Sequence, residues 1–99
     1  AGMTHELVVR PKAAEEIVAA YIWLEAEKPG RGERFLEALD KCYSLITQHP
    51  LGAQIRVKHY RHVQVEGFDY RVVFAMIGKT VNVYQVRHTS RRASKRFGP

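Results

Sequence analysis

The spacing of hydrophobic positions changes once along the chain, from a helical period to an alternating one. Residues 4–10 are short and rich in β-branched side chains, and Pro11 bounds them, so they read as an opening strand. Pro11 suits the first turn of a helix, where its missing N–H is not needed. From there Ala14, Ile17, Ala20, Tyr21 and Leu24 recur at helical spacing and predict a helix over 11–27, ended by Pro29-Gly30. A second helix over 32–48 carries the stripe Phe35, Leu39, Cys42, Tyr43 and Ile46 and stops at His49-Pro50. The short turn between them makes an antiparallel hairpin. After Pro50 the pattern predicts strands over 60–66, 69–77 and 80–88, with 55–58 as a short additional strand. Gly67 lies in the first turn, and Gly78-Lys79 fits a two-residue turn with glycine first. Residues 3–99 thus read as one α+β domain: an N-terminal strand and a helical hairpin packed on an antiparallel sheet of three to four strands. Ala1 and Gly2, ahead of Met3, read as residues left by cloning.

Register arithmetic assigns side chains to faces. With Gly78-Lys79 as the turn, Ile77 pairs with Thr80 and Arg71 falls opposite Val86. Val72, Phe74, Met76, Val81 and Val83 then form the apolar face that covers the helices. Arg71, Val73, Ala75, Asn82, Tyr84, Val86 and His88 share the other face, joined by Tyr60, His62 and Gln64. Arg71 and His88 become diagonal neighbours, roughly 6 to 8 Å apart at Cβ, within reach of one phosphate. A one-residue bulge would undo this arrangement. The face admits two readings. In the chemical one, Arg71 clamps a phosphate beside the titratable His88, with His62 and Tyr84 near, a set suited to acid–base chemistry on RNA. In the other, a partner chain covers an open sheet face, with Tyr84 and Val86 as the contact.

Charge adds an asymmetry to this picture. Lys and Arg number 16 against ten Asp and Glu, giving +6 and a pI near 9.8. Ten of those cations fall between Arg56 and Arg96, against only Glu66 and Asp69. Such a surface suits an acidic partner, either nucleic acid or polypeptide, or serves solubility. Residues 89–99 hold Arg91, Arg92, Lys95 and Arg96 with little apolar content and read as a loosely held basic tail.

Several chemistries find no support. The single cysteine, Cys42, allows no intramolecular disulfide, and it lies on an apolar stripe that reads as core. No run is apolar enough to span a membrane. Glu15-Glu16 complement a helix N-terminus rather than form a catalytic pair. His59 and His62 would point to opposite faces of a strand, against a shared metal. No phosphate-binding glycine loop, GxSxG or CxxC motif appears, and no cofactor is called for. Trp23 lies one position off its helix's stripe, placed to seal the hairpin or to face a partner.

The order of these pieces resembles the ParE/RelE superfamily of bacterial toxins. The resemblance is carried by the Pro-led helix with Ala13-Ala14 and Ile17, Tyr21-Ile22-Trp23, Pro29-Gly30, and the Phe35…Leu39 helix ending His49-Pro50. It continues through Tyr60-Arg61, residues 68–74 (FDYRVVF) and residues 83–88 (VYQVRH) before a basic tail. It implies the toxin half of a type II toxin–antitoxin pair, cytoplasmic, and held inactive by an antitoxin. RelE-like and YoeB-like members cut messenger RNA on the ribosome, which would make Arg71 and His88 catalytic. Here Thr89-Ser90 stand where a YoeB-like tyrosine is expected, and only Arg56, Lys58 and Arg61 echo the RelE basic cluster. ParE-like members poison DNA gyrase without a catalytic set, and the long hairpin and the 83–88 ending look more like that branch. Tyr60, His62, Tyr84, Arg87, Arg91, Arg92 and Arg96 are then expected to contact antitoxin or target. A degenerate member that only binds its antitoxin is the third alternative.

Overall fold

Pro11 opens the first helix and Pro29-Gly30 closes it, as the spacing predicts. The computed structural model describes residues 5–90. Strand β1 (Glu6–Val9) leads into helix α1 (Pro11–Glu27) and helix α2 (Arg31–Gln48). A 3-10 turn (Pro50–Gly52) follows, then strands β2 (Gln54–Val57), β3 (Tyr60–Gln64), β4 (Tyr70–Ile77) and β5 (Thr80–His88). Gly78 sits at φ +60°, the left-handed conformation that the tight β4–β5 turn requires of its first residue.

The turn between the helices is held by one carboxylate. Glu25 accepts hydrogen bonds from the Gly30 and Gly32 N–H groups, at 2.9 and 3.0 Å, and so fills the N-terminus of α2. Gly32 is required by close approach, because a Cβ there would lie 2.8 Å from two ring carbons of Tyr21. The same tyrosine donates its hydroxyl to Glu33 at 2.8 Å. Replacing Glu25 with Ala should lower unfolding free energy by about 1 to 3 kcal/mol, because two N–H groups lose a charged acceptor. Urea titration of the two proteins measures this.

Both helices pack on one face of a five-stranded sheet ordered β1-β5-β4-β3-β2. The core beneath them centres on Phe35, fully buried, which meets Phe68 edge-on at 5.4 Å and Tyr70 at 5.0 Å. Ala13 and Ala20 bring α1 close to the sheet, and Leu39, Cys42 and Ile46 line the underside of α2. The α+β class stands, with a larger and mixed sheet in place of three to four antiparallel strands. β1 pairs in parallel with β5, Glu6 against Thr80 through Val9 against Val83, and β2 extends the far edge. Four residues apiece, these strands are too short for alternation to reveal their partners.

A second difference matters more. Phe74 pairs with Val83 but Val73 pairs with Gln85, so Tyr84 is an extra residue on β5. Arg71 therefore lies opposite Arg87, not Val86, and Tyr70 lies opposite His88. Val86, 1% exposed, turns into the helix-side core. The bulge coincides with a change of partner at the edge of β5. β1 ends beside Val83, whose carbonyl accepts the Arg10 N–H at 2.9 Å. Beyond that point Glu16 of α1 takes over the edge of β5, accepting the Val86 N–H at 3.0 Å.

Candidate functional site

The sheet face turned away from the helices gathers the polar aromatic and cationic residues. β3 brings Tyr60, His62 and Gln64, with His62 opposite Val73 and Gln64 opposite Arg71. β5 adds Arg87 opposite Arg71, so Gln64, Arg71 and Arg87 form one row across three strands. Tyr60 and Tyr84 meet edge-on at 5.4 Å over a patch completed by Val73 and Ala75. The Arg10 guanidinium stands 5.7 Å from the centre of the Tyr84 ring, a cation–π contact. Tyr60, His62 and Arg87 are buried, while Arg71 and Tyr84 are half-buried.

Two guanidinium groups in cross-strand register make this face electropositive. Burial lowers the pKa of Arg87, the neighbouring charge of Arg71 lowers it further, and Glu16 partly offsets both. Cations beside aromatic surface are an arrangement that can recognise an anion.

The bulge separates Arg71 from His88. His88 lies on the helix side, its ring edge-on to Tyr70 at 5.1 Å. It lines a cleft of about 470 Å³ with Glu16, Ala20, Trp23, Tyr70 and Ser90. The Ser90 N–H donates to Nδ1 of His88 at 3.1 Å, and Ser90 Oγ stands 2.6 Å from the same nitrogen. An N–H only donates, so Nδ1 accepts and the ring proton sits on Nε2. The expected Arg71–His88 pair is therefore not formed, and the sheet stands between the two groups. His62 is the histidine on the Arg71 face, but the residue is only 6% exposed.

The structure thus brings Tyr60, His62, Arg71, Tyr84 and Arg87 together and places His88 elsewhere. Arg91, Arg92 and Arg96, with the rest of the predicted basic tail, lie outside the described residues. Arg10 and Glu16 are the residues that sequence reasoning missed. Arg10 carries no periodic signal, and Glu16 reads locally as an ordinary acid near a helix N-terminus. Trp23 faces outward, 64% exposed, and Ile22 and Val18 of the same helix are exposed as well. Among the described residues no group of three or more His, Cys, Asp or Glu is arranged to hold a metal ion. No helix among them is long and apolar enough to cross a membrane.

Cys42 is buried, and that burial pushes its thiol from the ordinary 9.0 up to about 11. The folded chain then holds this proton more tightly than the unfolded chain. The resulting stabilisation is complete below about pH 9 and is lost as pH rises towards 11. Urea midpoints should fall across that window, with about 2 to 3 kcal/mol owed to this group. A Cys42→Ala chain should show a flatter profile over the same range.

The family model described as the ParE toxin of the type II toxin–antitoxin system parDE matches residues 7–93. No curated protein matches the chain. Among solved structures, one described as a chromosomal ParDE TA system from P. aeruginosa superposes with a TM-score of 0.77 at 16% identity. It covers 88% of this chain and 98% of its own. At that identity the likeness shows a shared fold.

Proposed function

The chain belongs to the ParE toxin family of type II toxin–antitoxin systems, and from that premise we propose that it inhibits DNA gyrase in the cytoplasm and is neutralised by a cognate antitoxin. The family match over residues 7–93 carries this reading. The separation of Arg71 from His88 supports it, because an acid–base mechanism on RNA needs a proton-transfer group beside the phosphate clamp. This face offers cations and aromatic surface without His88 beside Arg71, which suits binding more than bond cleavage. In a supercoiling assay the purified protein should inhibit gyrase or trap cleaved DNA. No effect at micromolar excess, with growth arrest intact on expression, would overturn the reading.

The ribosome-dependent endoribonuclease is the competing reading, since Arg71, Arg87 and His62 share a face. It requires that Arg71→Ala abolish cleavage of translated messenger RNA while leaving the domain folded. Harmless overexpression without an antitoxin would instead mark a chain that only binds its partner. Antitoxin capture should weaken with salt, chiefly through the association rate, because a net charge of +6 steers an acidic chain.

A further inference from the structure

A second basic site lies at the far end of the helical hairpin. Lys28, Arg31 and Arg34 line a cleft of about 370 Å³ with Gly67 and Phe68. The chain places them together through the tight turn, in which the Arg31 N–H donates to the Lys28 carbonyl at 3.0 Å. Arg31 and Arg34 then follow one turn apart at the start of α2. Phe68 is held as the floor, its ring packed edge-on against Phe35, while the Arg31 guanidinium stands 5.7 Å from its centre. Arg31 pairs with Glu27 at 3.9 Å. Among the described residues Lys28 and Arg34 form no ion pair. The N-terminus of α2 is already occupied by Glu25, so the attraction of this cleft comes from side-chain charge.

We propose that this cleft docks an acidic segment of a partner polypeptide. Two or more of its carboxylates would engage Lys28, Arg31 and Arg34, and an apolar side chain would seat on Phe68. The neighbouring clefts share Phe68 and carry acids of their own, Glu27 and Asp69 on one side and Glu37 and Glu66 on the other. A polynucleotide brings a negative charge at every residue and would be repelled there. A peptide can place neutral or cationic residues against those acids and carboxylates against the cations. The inference takes its partner class from the toxin–antitoxin reading and gives that partner a second anchor, away from the sheet face that carries Arg71 and Arg87.

Fluorescence anisotropy on the full chain tests it, with a labelled Glu- and Leu-rich synthetic peptide, its Gln-for-Glu analogue, and labelled oligothymidylate. The acidic peptide should bind best. A Lys28→Gln/Arg34→Gln variant should bind it about tenfold more weakly. An Arg56→Gln/Lys58→Gln control on the β2 edge should leave its affinity within a factor of about two, since both cations lie outside the cleft. Reversing the site with Lys28→Glu/Arg34→Glu should transfer binding to a lysine-rich peptide. Equal losses in the two Gln variants, no binding of the acidic peptide, or tighter site-dependent binding of oligothymidylate would each overturn the proposal. The titration contains no gyrase, so its failure and that of the toxin reading are separately visible.

Discussion

Val86→Asp should prevent the chain from folding, while Gln85→Asp should be tolerated. The two positions are adjacent on β5 and face opposite ways. Val86 is 1% exposed in the helix-side core, so a carboxylate there must either lose its hydration or take up a proton. The cost is about 4 kcal/mol or more, a large share of the 5 to 15 kcal/mol that holds a domain of this size. Gln85 lies opposite Val73 on the other face, in the neighbourhood of Arg71 and Arg87, where a carboxylate meets positive charge. Circular dichroism with urea titration distinguishes the two. A regular β4–β5 ladder, with Arg71 opposite Val86, predicts the reverse order, so the experiment also tests the bulge.

Phe35→Ala should be the most damaging truncation in the core. The ring is fully buried and is the shared neighbour of Phe68 and Tyr70, which come from the β3–β4 turn and the start of β4. Its removal withdraws apolar burial, leaves a cavity between α2 and the sheet, and unseats both aromatic contacts. Losses of about 3 to 5 kcal/mol are expected. Leu45→Ala, on the same helix but 55% exposed, should cost well under half as much. Paired urea midpoints measure both.

How much was legible in the chain follows from which interactions are local. α1 is bounded by Pro11 and Pro29-Gly30, which act through backbone sterics within a few residues, and the structure places the helix at Pro11–Glu27. The Gly78-Lys79 turn is similarly local. The partner of β1 was not legible, because pairing Glu6 with Thr80 depends on contacts remote in sequence. The bulge left a trace that regular alternation overlooks. Val81 and Val83 are two apart, but the next inward residue, Val86, comes three later. That interval is the sign of an extra residue, and the edge contact from Glu16 that accompanies it is a tertiary one. For the same reason Tyr60, His62, Arg71 and Tyr84 could be grouped by alternation, while His88, beyond the bulge, was assigned to the wrong side.

The pairing of the first strand with the last has a consequence for the birth of the molecule. Glu6 leaves the ribosome long before its partner Thr80 exists. At roughly 5 to 20 residues per second, the 74 additions from Glu6 to Thr80 take about 4 to 15 s. Throughout that interval β1 has no strand to join, and α1 lacks the β5 surface that it will cover. The sheet cannot close before Thr80 is made, so until then a nascent chain presents no completed toxin surface to its surroundings. Any partner able to seize the finished fold has that interval in which to be waiting.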